Sequence, residues 1–229
     1  MTVRTRVKIC GITRREDAVA AVRAGADAVG FVFVAASPRA IDVTSARRIA
    51  AILPAFVTPV GLFLDAPADE VRAAIEDWPE LVPQFHGNES AADCERHGRR
   101  YLKAIGVGEA GMLPEEGALA PFTGAGGFLF DSHAPGEQGG TGRTFDWSAL
   151  AARPPGTRPL ILAGGLHPDN VADAVRRVAP WAVDVSSGVE SAKGIKDHGA
   201  MRAFVAAVRA ADEGRRDAPP YEHVPDDGT

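Results

Sequence analysis

Eight short apolar runs, set apart by stretches of helical character, are the feature that most narrows what this chain can fold into. The runs fall at residues 6–10, 28–33, 59–64, 81–85, 101–107, 127–131, 159–163 and 182–186, recurring about every 20 to 33 residues. Each is rich in Val, Ile, Leu and Phe and has the length of a strand rather than a helix. Between them lie Ala-, Arg- and Glu-rich stretches with apolar residues at helical spacing, at 16–24, 45–53, 68–77, 170–178 and 197–211. Strands that alternate with helices read as βαβ units and hence as a parallel sheet. Eight such units within about 210 residues suit a closed barrel better than an open, doubly wound sheet. The expected architecture is therefore α/β, a single (β/α)8 TIM barrel.

Local signals sharpen this expectation. Thr13-Arg14-Arg15-Glu16 has the pattern of a capping box, which would start the first helix. Pro67 and Pro168 suit the first position of a helix, and Gly25 suits the residue that ends one. Between 111 and 122, Pro114, Gly117 and Pro121 leave room for only a ragged fifth helix. In the fourth run Pro83 cannot donate a ladder hydrogen bond, so local irregularity is expected there. From Gly214 onward the chain has no apolar period and reads as a mobile tail. The expected organisation is one catalytic domain over 1–213 and a tail over 214–229.

Charge and composition exclude several classes. A net charge of −5 argues against a nucleic-acid partner or an anionic membrane surface. No apolar run approaches the roughly 18 residues of a membrane helix, and no signal peptide is visible at the start. The two cysteines, Cys10 and Cys94, do not make a disulfide framework. A cytoplasmic location with reduced thiols is expected.

In such barrels the functional groups sit at the C-terminal ends of the strands and in the loops that follow. That rule selects Cys10-Gly11 after the first strand, Ser37-Pro38-Arg39 after the second, and Gln84-Phe85-His86-Gly87 at the fourth. It also selects Asp131-Ser132 after the sixth, Gly164-Gly165 after the seventh, and Asp184 with Ser186-Ser187-Gly188 at the eighth. Glycine lets backbone N–H groups approach an anion, and a helix N-terminus adds a favourable dipole. Gly164-Gly165 and Ser187-Gly188, taken together at the last two loops, point to a phosphate; either pair alone also reads as a tight turn. The long loop with Gly140, Thr141 and Gly142 suggests a lid. Cys10 and Asp131 form a candidate acid–base pair, because a buried carboxylate is costly unless bonded or used. On position alone, Cys10 also reads as a small buried hydrophobe and Asp131 as a solvated loop acid. Arg39 has the fork needed to clamp a substrate carboxylate, and equally reads as one surface arginine among many. His86 reads as structural, and Cys94, in a polar helix, as inert.

Taken in order, these segments closely resemble the phosphoribosylanthranilate isomerase family of tryptophan biosynthesis. The matching stretches are VKICGIT, EDAVAAVRAGADAVGFVF, SPRAI, VGLFLD, QFHGNE, KAI, LFDS, GGTGRTFDW, LAGGLHPDNV, VDVSSGVE and GIKDH. In the fourth strand the family usually reads VQLHG, so Pro83 and Phe85 are departures. The resemblance implies an Amadori rearrangement of a phosphorylated sugar–anthranilate, with Asp131 as general acid and Cys10 as general base. It implies that Arg39 holds the anthranilate carboxylate and that Asp184 lies close to the reacting sugar. The glycines of the last three loops match the phosphate site and its cover. No cofactor is implied, and the sequence offers no clustered His/Cys set for a metal. The histidine-pathway isomerase of like chemistry has an aspartate where Cys10 stands, and its first half carries a glycine pair that this chain lacks. A non-catalytic sugar-phosphate sensor would need neither Cys10 nor Asp131.

Overall fold

The computed structural model describes residues 4–107, 112–115, 117–132, 146–152 and 158–215. Its strands are β1 (Arg6–Ile9), β2 (Ala28–Val32), β3 (Thr58–Phe63), β4 (Val82–Phe85), β5 (Tyr101–Gly106), β6 (Ala125–Asp131), β7 (Leu160–Leu162) and β8 (Ala182–Val185). They close in chain order into one barrel, with β8 returning to pair in parallel with β1. The helices between them are α1 (Arg15–Ala24), α2 (Val43–Ala50), α3 (Ala68–Asp77), α4 (Ala91–Glu95), α5 (Ser148–Ala151), α6 (Val171–Val178) and α7 (His198–Glu213). A short hairpin, β9 (Glu190–Ala192) with β10 (Ile195–Lys196), precedes α7. No described helix is long and apolar enough to cross a membrane.

Alternation along each strand sorts side chains into two layers. Ile9, Val29, Phe31, Phe63, Phe85, Phe130, Leu162 and Val183 face outward and pack with helix residues such as Ala18, Ala74, Val171, Val175 and Phe204. A smaller interior cluster holds Ala104, Leu129, Ile161, Ala163 and Ala182, with Leu102 and Trp181 against it. Each fully buried large apolar side chain contributes roughly 1.5–3 kcal/mol. With Ile9, Phe85, Phe130 and Val183 outside, the alternation turns Lys8, Cys10, Gln84, His86, Asp131 and Asp184 inward.

Several local expectations change. The Thr13 hydroxyl caps no helix: it donates to the Gly194 carbonyl at 2.7 Å, binding the β9–β10 turn instead. Arg14 holds the N-cap position of α1 without a side-chain cap bond. Gly25 ends α1 with φ 99° and its N–H on the Ala21 and Val22 carbonyls, as expected. Pro67 is the N-cap of α3 rather than its first residue. Pro168 lies in the turn that leads into α6, where Val171 N–H reaches the His167 carbonyl. β4 is regular despite Pro83, pairing with β3 from Val60↔Val82 to Phe63↔Phe85 without a register shift. Its ladder to β5 begins two residues later, at Gln84↔Leu102, so the missing N–H falls outside that pairing. Phe85 fills a stack on the outer face, with ring centroids 6.3 Å from Phe63, 5.5 Å from Tyr101 and 5.9 Å from His97. Between β5 and β6 the described residues form turns and no helix.

Candidate active site at the C-terminal mouth of the barrel

Cys10 directly follows β1 and is 4% exposed. Its N–H bonds the Val185 carbonyl at 2.8 Å, and its carbonyl accepts from Ser186 Oγ at 3.1 Å, so β8 fixes the backbone that carries the thiol. Lys8, one inward position below, donates to Asp184 Oδ1 at 3.0 Å across the β1–β8 register, with both groups buried. Burial works against the Lys8 charge, but Asp184 and then Cys10 outweigh it and hold the amine above its usual range. For Cys10, burial is the strongest influence and pushes the thiol up; Lys8 is the foremost opposing one.

β6 brings Asp131 to the same end of the barrel. His86, at the end of β4, places Nε2 3.9 Å from Asp131 Oδ2, and its Nδ1 lies 3.2 Å from Gln84 Nε2. Burial is the strongest influence on the histidine and depresses its pKa, against the pull of Asp131. The next loop is pinned by Glu89, which accepts from Lys103 Nζ at 2.9 Å and from the Gly87 and Asp65 N–H groups at 2.9 Å each.

The loops after β7 and β8 touch. A Cβ on Gly188 would lie 1.9 Å from the Leu166 carbonyl oxygen, so only glycine permits that approach. Gly164 and Gly165 both have positive φ, 82° and 62°, and Asn170 holds their loop by accepting from His167 N–H and donating to the Gly165 carbonyl. Ser187 and Gly188 belong to a single 3-10 turn over Ser187–Val189. Two glycine-bearing loops therefore lie against one another.

Arg39 is not a surface arginine; it is 6% exposed. Its Nε and Nη2 meet Glu190 Oε1 and Oε2 at 2.7 and 2.8 Å, a two-bond pair. Lys196 Nζ reaches the same Glu190 at 2.8 Å and the Ser186 carbonyl at 3.0 Å. Burial alone would raise the Glu190 carboxyl; Arg39 and Lys196 reverse that and hold it below its usual range.

The structure thus gathers Cys10, Arg39, Asp131, Asp184, Gly164, Gly165, Ser187 and Gly188 at the C-terminal ends of the strands. Gly140, Thr141 and Gly142 lie outside the described residues. Cys94 is the buried residue of α4, and burial pushes its thiol up to about 12, in keeping with an inert group. The sequence reading gave no role to Lys8, Glu190 or Lys196. A lysine inside an apolar strand run, two positions before Cys10, was the available signal for the first. Glu190 and Lys196 bond each other within the β9–β10 hairpin, and among the described residues only Arg39 reaches Glu190 from a distant loop.

A barrel of eight parallel strands with polar and titratable groups gathered at its C-terminal mouth is the architecture of the (β/α)8 enzymes. The profile of one such family, N-(5′-phosphoribosyl)anthranilate (PRA) isomerase, matches residues 7–207, and the chain belongs to that family. The N-(5′-phosphoribosyl)anthranilate isomerase of Pseudomonas fluorescens (strain Pf0-1) is 55% identical over 205 residues, covering 89% of this chain and 98% of that one. The crystal structure of the Thermotoga maritima phosphoribosyl anthranilate isomerase superposes with a TM-score of 0.81 at 41% identity, covering 90% of this chain and 99% of that one. A further phosphoribosyl anthranilate isomerase was solved in complex with reduced 1-(o-carboxyphenylamino)-1-deoxyribulose 5-phosphate. It superposes with a TM-score of 0.74 at 36% identity, again over 90% of this chain and 99% of that one.

Proposed function

We propose that this chain converts N-(5′-phosphoribosyl)anthranilate to 1-(2-carboxyphenylamino)-1-deoxyribulose 5-phosphate by an acid–base Amadori rearrangement in tryptophan biosynthesis. Asp131 gives a proton to the furanose ring oxygen, and the C1′–O bond breaks to leave a protonated Schiff base. Cys10, as thiolate, then takes the C2′ proton, and the electron pair moves to form an enolamine. Tautomerisation to the ketone completes a net isomerisation that needs no redox partner. The phosphate sits on the backbone of Gly164, Gly165, Ser187 and Gly188. Asp184 lies beside the sugar. Arg39 receives the anthranilate carboxylate on the end-on edge of its guanidinium, the edge that Glu190 does not use.

The observation that carries this reading is that Cys10 directly follows β1 and Asp131 ends β6, both inward and at one mouth, in a chain of this family. The test is to add the protein to freshly made phosphoribosylanthranilate and follow its fluorescence, with the ketose product quantified. General acid or base catalysis contributes about 10²–10⁴-fold each, so Cys10→Ala and Asp131→Ala should each lose at least that much turnover. A Cys10→Ala enzyme within tenfold of the parent would remove the thiol from the mechanism.

A further inference from the structure

A thiol is a weak base until it ionises, and here it must do so out of water. An unperturbed cysteine titrates near pH 8.5, and burial pushes Cys10 above the usual thiol range. An anion in such a place needs a fixed positive charge beside it. The charged and titratable groups facing Cys10 are Lys8 on its own strand, Asp184 on β8 and Lys196 on β10. β2 contributes no charge: it contributes Gly30, where a Cβ would lie 2.6 Å from the Cys10 sulfur. The thiol is therefore packed against bare backbone on one side and looks toward the Lys8–Asp184 pair on the other. Lysine is a compact charge on a flexible stem, and Asp184 removes that flexibility by holding Nζ at 3.0 Å.

We propose that Lys8 is a positioning residue for the Cys10 base: its ammonium, tethered to Asp184, balances the negative charge that appears on sulfur when the thiol gives up its proton. The proton leaves to solvent before substrate closes the site, and the thiolate then accepts the C2′ proton. This rests on the reading of Cys10 as the base. Lys196 has a lesser part in it, since its charge is shared with Glu190 at 2.8 Å and with the Ser186 carbonyl. Burial is the main influence that disfavours protonation of His86, and Lys8 adds to it against the pull of Asp131.

The test compares Lys8→Gln, which can still donate to Asp184 but carries no charge, with Lys8→Arg, which keeps the charge. Selective ¹³Cβ labelling of cysteine follows ionisation of Cys10 directly. Cys94, pushed up to about 12, stays a thiol over the range needed. In Lys8→Gln, the Cys10 titration and the ascending limb of kcat/KM should both move up by at least about one pH unit. That is a loss of about tenfold or more in turnover at any pH below the limb, since thiolate falls tenfold per unit. Lys8→Arg should keep both close to the parent. An unmoved Cys10 titration in folded Lys8→Gln overturns the proposal. Should Lys8→Gln fail to fold, the parent decides: the Lys8 ¹³Cε signal should step at the pH where Cys10 ionises, and the step should vanish in Cys10→Ala. No such step overturns the proposal as well. Failure of the underlying reading looks different, because Cys10→Ala would then keep turnover while the coupling between Lys8 and Cys10 persisted.

Discussion

At the scale of single residues, Arg39 shows how one partner can fix a buried guanidinium. A guanidinium has two usable edges, and Glu190 takes one of them with bonds of 2.7 and 2.8 Å. The arginine is thereby fixed in place, and little side-chain freedom remains to be lost on binding. A carboxylate meeting the other edge gains a charge-assisted hydrogen bond, worth roughly 1.5–3 kcal/mol. Arg39→Ala should therefore weaken binding of the reduced product analogue by roughly 10–150-fold. Arg39→Lys should recover part of it, since an ammonium meets a carboxylate as a point charge rather than a fork. Calorimetric titration checks this, and unchanged affinity in the alanine variant would return Arg39 to a purely structural role. Glu190→Gln should raise KM, because it loosens the two-bond pair that fixes Arg39.

At the scale of elements, the helix α1 is held by one carboxylate. Asp17, wholly buried, accepts from Arg14 Nε and Nη2 at 3.0 and 2.8 Å and from Lys196 N–H at 3.2 Å, and lies 2.9 Å from His198 Nε2. It thus joins α1 to β10 and to the start of α7. Burial would raise its carboxyl, but these bonds prevail and hold it below the usual carboxylate range. A depressed folded pKa contributes stability that is present above the unfolded value, near 3.9, and is lost as pH falls through the folded one. Asp17→Asn should lower stability at pH 7 by roughly 2–3 kcal/mol, or a Tm loss of about 4–12 °C. It should also show a smaller Tm drop than the parent between pH 6 and pH 3. An equal drop in both would place the acid sensitivity elsewhere. The elements themselves were largely legible in the sequence, because strands buried on both faces are written as continuous apolar runs. All eight strands begin and end within two residues of the expected runs. The five-residue α4 was too short to show a period, and the capping box at Thr13 failed because Gly194, 181 residues away, competes for the same hydroxyl. The pairing of Lys8 with Asp184 was not legible because barrel register sets it, and that of Arg39 with Glu190 because it joins segments 151 positions apart.

At the scale of the whole molecule, the last helix is bonded to the approach of the first strand. Asp212 on α7 accepts from both Thr5 N–H and Thr5 Oγ1 at 2.7 Å, and Arg215 lies 3.5 Å from the same carboxylate. Asp212→Ala would leave these buried donors unpaired, at a cost of roughly 2–3 kcal/mol. The urea midpoint should fall with an unchanged slope, as for a barrel that opens all at once; an unchanged midpoint would show the link to be dispensable. The return of β8 to β1 also sets a timetable. Lys8 and Asp184 are 176 positions apart, so at about 5–20 residues per second a ribosome needs about 9–35 s to make the second after the first. Through that interval the nascent chain carries its thiol on an unpaired strand edge, open to oxidants and to other chains. Catalytic competence arrives only with the final strand, and the exposure of Cys10 during synthesis is a hazard that the finished barrel no longer shows.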